Sequence, residues 1–380
     1  MAKASPPPPK KAKVQVKHDK TKAVSSSTPT MDKGKQKAVP QNEPSTLPST
    51  FKIVAGSYEK LLYGLEGRVS GDDDKLEYHL KPIFIFPAHV SCIKAVAVSP
   101  SGGKWLATGS SDEIIKVWDL RRKKEIGGLM HHEGSITHLS FPSRGHLLST
   151  SEDGTLCLFR ARDWAVLRSL KGHKGPVNCV AVHPSGKVAL SVGKDRTLRM
   201  WDLMRGKGCA STKLGKGSSF QQLGLYFQCS DMTLLHTIKH PSRLHDAKFC
   251  KRVDSDEEVL LVGAEDKKLT IYDVSNDPEK PPTIIGLMVG HENRVKAVQT
   301  LSIALPAPKR KSTTLVCTAS SDGKIHVYDL AALNKTSENV QEIEPVAVYD
   351  SKGTRLTCIA VATDAVTKKR KREEDAAGED

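Results

Sequence analysis

The stretch HVSCIKAVAVSPSGGKWLATGSSDEIIKVWDL, residues 89–120, returns in altered form as HKGPVNCVAVHPSGKVALSVGKDRTLRMWDL at residues 173–203. Both open on a histidine, cross an apolar run into a Pro-Ser-Gly turn, cross a second apolar run to an aspartate, and close on Trp-Asp-Leu. The step from that aspartate to the aromatic residue is six positions, Asp112 to Trp118 and Asp195 to Trp201. It is also six from Asp153 to Phe159, from Asp266 to Tyr272 and from Asp322 to Tyr328, in frames opened by His132, His240 and His291. Inside each frame short runs alternate apolar and polar residues between turn residues, which is the signal of half-buried strands. One such match is weak evidence; five in one register decide the fold class.

A period near forty residues with Gly-His and Trp-Asp landmarks is the pattern of the WD40 repeat, in which four strands make one blade of a β-propeller. Two places complicate the blade count. His173 and His240 are 67 residues apart, where two repeats need about 80, so residues 203–239 are expected to hold a shortened blade built on LGLYF and TLLHTI. At the far end TRLTCIAVA (354–362) has no strands after it, while KIVAG, KLLYGLEG and HLKPIFIF (52–86) precede the first full repeat. Joining these segments closes the ring and removes exposed sheet edges. The expected fold is therefore all-β, a seven-bladed WD40 propeller over residues 51–365 with one composite closing blade and one shortened blade.

Composition frames this domain. Residues 1–50 carry ten lysines against Asp19, Asp32 and Glu43, with a run of four prolines and almost no large apolar side chains. Such a segment buries too little apolar surface to offset its ordering entropy and reads as disordered, as does 366–380. No run of apolar residues reaches membrane-spanning length, and Met1–Lys13 lacks the apolar core of a secretory signal. The eight cysteines make no CxxC pair, so neither a zinc site nor a disulfide framework is expected, and the chain reads as soluble and intracellular. The formal net charge of +15 favours anionic partners such as nucleic acid. Lys10, Lys11 and Lys13 in one tail, and Lys368, Lys369, Arg370, Lys371 and Arg372 in the other, fit short nuclear-import signals. Lys309, Arg310 and Lys311 fall in an insertion of the last repeat and are expected to form an exposed loop that meets RNA phosphates.

A histidine, a hydroxyl and an aspartate recur together: His89, Thr108 and Asp112; His132, Ser149 and Asp153; His173, Ser191 and Asp195; His291, Thr318 and Asp322. This is the inventory of a hydrolytic triad, but catalysis needs its constellation once, whereas this one returns in four repeats. A scaffold role is expected instead: in the WD40 proteins that this chain resembles, these groups form a buried hydrogen-bond network, which implies Trp118 and Trp201 as indole donors here, and such a network must be fully satisfied. Phe159, Tyr272 and Tyr328 replace the tryptophan and Val262 the hydroxyl, so those repeats should have incomplete networks, and Asp153→Ala should cost less than Asp195→Ala. The sequence has no phosphate-binding G-x-x-x-x-G-K-[ST], no H-E-x-x-H and no G-x-S-x-G, and no enzyme, cofactor, metal or small-molecule substrate is expected.

Beyond the generic repeat, VAGSYEKLLYGLEG (54–67), HHEGSITHLSF (131–141), SEDGTLCLF (151–159), HKGPVNCVAVHPSGKVALSVGKDRTLRMWDL (173–203), GHENRVKAV (290–298) and TASSDGKIHVYDL (318–330) resemble the PAK-interacting WD-repeat proteins, which include a fungal factor for large ribosomal subunit assembly. The resemblance implies a non-catalytic nucleolar scaffold for 60S assembly and pre-rRNA maturation, with pre-60S proteins and the rRNA backbone as partners. It also implies restraint of a PAK-type kinase, for which no motif stands out. The alternative of a cullin ubiquitin-ligase receptor rests on Trp118-Asp119-Leu120-Arg121, a short pattern that follows many such repeats by chance.

Overall fold

The computed structural model describes residues 47–363 apart from 73–74, 101, 215–222, 228–233, 254–256, 275–276, 278, 307–309 and 334–339. Its strands follow the repeat. β1 (Thr50–Ser57), β2 (Leu61–Asp72) and β3 (Lys75–Pro87) come first. The first blade is β4 (Ile93–Val98), β5 (Trp105–Ser110), β6 (Ile115–Asp119) and β7 (Lys124–Leu129). The second is β8 (Ile136–Ser143), β9 (His146–Ser151), β10 (Thr155–Arg160) and β11 (Val166–Lys171). The third is β12 (Val177–Val182), β13 (Val188–Gly193), β14 (Thr197–Asp202) and β15 (Lys207–Lys213).

After these, among the described residues, β16 (Leu223–Phe227) and β17 (Leu234–Lys239) pair only with each other. The fourth blade is β18 (Leu244–Lys251), β19 (Glu258–Ala264), β20 (Leu269–Asp273) and β21 (Thr283–Met288). The fifth starts with β22 (Val295–Ala304), β23 (Ser312–Ser320) and β24 (Lys324–Asp329). Its connection then lends β25 (Gln341–Ile343) to the fourth blade as a parallel fifth strand before β26 (Ala347–Asp350) completes it. The last strand, β27 (Leu356–Thr363), pairs antiparallel with β1, giving the order β27-β1-β2-β3. This is the composite blade that edge closure requires.

The expectation of seven blades is corrected to six. The expected shortened blade at 203–239 is no blade: past β15 that interval forms the two-strand hairpin β16–β17. The hairpin runs straight into His240, the place the outer strand takes in every other repeat, and among the described residues no strand pairs on its inner side.

Core packing runs from blade to blade. The repeat aromatic faces the preceding blade: Trp118 packs with Val54, Leu62 and Ala360, Phe159 with Ala107 and Ile115, Trp201 with Leu148 and Leu158, and Tyr328 with Leu261 and Ile271. Tyr272 instead meets Ile238 of the hairpin. A last cluster joins the fifth blade to the composite one through Leu315, Val327, Ile53 and Leu65. Among the described residues no buried cluster covers the far face of the third blade.

Candidate functional site

In every repeat the turn after β5, β9, β13, β19 or β23 puts the residue following the repeat aspartate at positive φ: Glu113, Gly154, Arg196, Lys267 and Gly323. That turn aims the carboxylate back at the repeat histidine. In the third blade Trp201 Nε1–H donates to Ser191 Oγ at 2.7 Å, Ser191 Oγ lies 2.7 Å from His173 Nε2, and His173 Nδ1 lies 3.0 Å from Asp195. With the proton on Nδ1, every donor in this relay has one acceptor. The first blade repeats it with Trp118 to Thr108 at 3.0 Å, Thr108 to His89 at 2.8 Å and His89 to Asp112 at 3.0 Å. Burial holds His89 and His173 below the usual imidazole range against the pull of their aspartates, so the rings are neutral. Burial pushes Asp195 up, but hydrogen bonds from Lys174 N–H, Thr197 and His173 outweigh it and hold the carboxyl at about 2.

The other blades depart in instructive ways. In the second, Asp153, His132 and Ser149 stand at 2.9 and 2.7 Å, but Phe159 offers no donor and the relay ends at the hydroxyl. In the fifth, His291 bridges Asp322 at 3.0 Å and Thr318 at 2.8 Å. Its ring stacks on His326 with centroids 3.8 Å apart, and Tyr328 donates to the Val289 carbonyl rather than to the threonine. The fourth blade corrects the expectation of an incomplete network at Tyr272. With Val262 in place of the hydroxyl, His240 turns over, so that Nε2 meets Asp266 at 3.0 Å and Nδ1 meets Tyr272 Oη at 2.9 Å. The cost falls on Asp266, whose buried Oδ1 has no partner. Elsewhere the amide after the histidine caps the aspartate, as Lys174 N–H does for Asp195 at 2.9 Å; here that residue is Pro241, which has no N–H.

These networks are scaffolding. Thr108, Ser149, Ser191 and Thr318 are all 0% exposed, so no substrate reaches a hydroxyl that is itself spent on a histidine.

The basic loop reads differently in the structure. Arg310 is not free for phosphate: its Nη2 sits 2.6 and 2.8 Å from the Asp329 carboxylate, which also accepts from Tyr78 Oη of β3 at 2.8 Å. Tyr78 thus ties the composite blade to the fifth, and Arg310 holds the Asp329 carboxylate within the fifth. Lys311 is exposed, and Lys309 lies outside the described residues, as do Lys10, Lys11, Lys13 and Lys368–Arg372. Arg121 is exposed, while Asp119 before it accepts the Arg121 and Arg122 amides at 2.9 and 3.1 Å.

The inner strands enclose a channel with a cavity of about 430 Å³. One residue from each blade rings its entrance: Lys94, Thr137, Asn178, His245, Lys296 and Thr357. All are polar and none is acidic. The sequence carried the signal, because the first five stand five residues after the repeat histidines, but a histidine-centred reading passes over them. Three rim cations are paired, Lys94 with Glu152 at 2.9 Å, Arg294 with Glu265 at 3.7 Å and Arg355 with Glu59 at 3.5 Å. Lys296 and, deeper in the wall, Lys248 have no carboxylate partner among the described residues; Lys296 Nζ lies 3.4 Å from His245 Nε2. Burial, then the charges of Arg294 and Arg243, bring Lys296 down to about 8. Burial likewise holds His245 at about 4, the neighbouring Lys296 adding to it. Asp246, which accepts the Val298 and Ala247 amides at 2.8 and 2.9 Å, is raised by burial to about 6.

A ring of four-stranded sheets tied by His–Asp pairs and latched by its two ends is a WD40 β-propeller, and the WD domain, G-beta repeat model matches residues 80–119, 123–160 and 164–202. The chain is 32% identical over 335 residues to "p21-activated protein kinase-interacting protein 1-like" of Danio rerio, covering 84% of this chain and 82% of the relative. It is 30% identical to "Protein MAK11" of Saccharomyces cerevisiae, covering 84% of each. To "Shk1 kinase-binding protein 15" of Schizosaccharomyces pombe it is 29% identical, over 86% of this chain and 89% of the relative. The chain belongs to this PAK-interacting, Mak-type family of WD40 proteins.

Proposed function

We propose that the protein is a non-catalytic nucleolar scaffold that assembles with precursors of the large ribosomal subunit and supports pre-rRNA maturation. The observation that carries this reading is the family: the chain matches MAK11 over 84% of its length, and the family it resembles includes a fungal factor for large-subunit assembly. A rigid ring whose polar networks are spent on its own strands suits holding protein partners in a fixed relation. The basic tails add salt-sensitive attraction to rRNA. Depletion of the protein should lower 60S relative to 40S subunits, and the tagged chain should sediment with nuclear pre-60S particles. Normal subunit ratios with a purely cytosolic protein overturn the reading.

A second reading has its own support. Two relatives carry names for kinase binding, "p21-activated protein kinase-interacting protein 1-like" and "Shk1 kinase-binding protein 15". Direct binding of the purified chain to a PAK-type kinase, with loss of kinase activity, would place that role ahead.

A further inference from the structure

The channel entrance combines two features that the scaffold does not use. Lys296 and Lys248 face a cavity without a carboxylate to match them, Asp246 being the single acid in its wall. In the same wall His138 Nδ1 is buried with no hydrogen-bond partner. Further in, Val98, Phe141 and Val361 make the wall apolar. Of the rim arginines, Arg294 and Arg355 are neutralised by Glu265 and Glu59, whereas Arg243 has no ion pair among the described residues and adds its charge beside Lys296.

We propose that this entrance is the docking site for a short acidic segment of a partner protein, whose carboxylates are met by Lys296 at the rim and Lys248 deeper in the wall while a neighbouring apolar side chain follows the wall inward. Charge complementarity selects this occupant. Two lysines and Arg243 against Asp246 match about two carboxylates, whereas an RNA strand or polyphosphate brings a charge per phosphate that the site does not balance. Neither of those uses the apolar wall, against which a peptide side chain buries its apolar surface. The site stands independently of the ribosomal reading, since it is argued from the channel alone.

The test is fluorescence anisotropy on the full chain with a fluorescein-labelled peptide of alternating glutamate and leucine. The peptide should bind, and its glutamine counterpart should not. Lys248→Gln with Lys296→Gln should weaken binding at least about tenfold, while Lys187→Gln, an exposed lysine of the third blade, should leave it unchanged. A second arm needs no destabilising change. Lys296, near 8, sheds its charge between pH 7 and 9, so wild-type affinity should fall across that window, and Lys296→Arg should bind at pH 7 and lose the fall. Around Lys296 stand Arg243, Arg294, Glu265 and His245. Of the shifted groups there, Asp246 lies near 6, His245 and His138 near 4, and Cys179 near 11, all outside the window. No binding by the peptide, unchanged affinity in the double variant, or displacement by polyuridine or tripolyphosphate at lower concentrations than by unlabelled peptide would each overturn the proposal.

Discussion

Leu148 in β9 and Leu190 in β13 hold the same place in consecutive repeats, each one residue before the network serine. Leu148 is 0% exposed beneath the Trp201 face of the third blade, whereas Leu190 is half-buried. The neighbours agree: Thr150 and Leu158 are buried, while their counterparts Val192 and Met200 are half-buried. The two blades differ little in sequence quality. They differ in the next element along the chain, a complete blade in one case and a hairpin docked on the fourth blade in the other. In a propeller a repeat supplies a strand pattern, but the burial of that pattern is supplied by the next repeat.

The largest expected effect tests that contrast directly. Leu148→Ala should lower stability by about 3 kcal/mol, the transfer and cavity cost of a buried leucine, while Leu190→Ala should cost about 1 kcal/mol. Urea midpoints read both; equal losses would show the third blade's far face covered in solution.

The next effect sharpens the comparison at the networks. Sequence reasoning expects Asp153→Ala to be milder than Asp195→Ala, but the structure levels them. Each carboxylate accepts from its histidine, the amide after it, and the amide and hydroxyl of a threonine, Thr155 or Thr197. Both changes should cost about 2–3 kcal/mol. The blades should part instead at the hydroxyl. Ser191→Ala strands both His173 and the Trp201 indole, Ser149→Ala strands His132 alone, and the difference should be about 1 kcal/mol. Thermal melts in which the two serine variants coincide would remove the indole from the network.

The last effect depends on pH and concerns Asp246, on the inner strand that borders the uncovered side. Its folded pKa of about 6 stands above the unfolded value of about 3.9, so the folded chain holds a proton that the unfolded chain releases. That contribution is fully present below about pH 4 and lost as pH rises through 6. Asp246→Asn should therefore raise Tm at pH 7.5 and leave it unchanged at pH 4. A gap independent of pH would mean that water enters beside β18 and relieves the burial.

Legibility in the sequence divides along the same line. The five registers, the buried His–Asp pairs and the composite blade are all readable, because each depends on residues repeated in the chain or on the need to pair strand edges. The blade count fails at 203–239, where strand-like letters do not reveal whether there is room for four strands. In the sequence His240 belongs to a broken network, since Val262 and Tyr272 both count as losses; a reversed ring, with Pro241 withdrawing an amide from Asp266, is a solution that only packing selects. Arg310 takes its apparent role from its basic neighbours, yet its partner Asp329 stands nineteen residues on, in the Trp-Asp position of the repeat. The entrance residues are visible as a column, but nothing in one column says that six blades bring it to a circle.

The pairing of β1 with β27, Gly56 opposite Cys358, also sets the order of events at birth. The strands that open the composite blade leave the ribosome with no inner partner, and they wait until almost the whole propeller has been synthesised. A contact this distant in sequence makes folding slow and leaves an unpaired edge exposed meanwhile. A premature stop anywhere before Leu356 would therefore not yield a smaller working ring. It would release a chain with an open latch, prone to cling to other nascent chains and dependent on chaperones for its disposal.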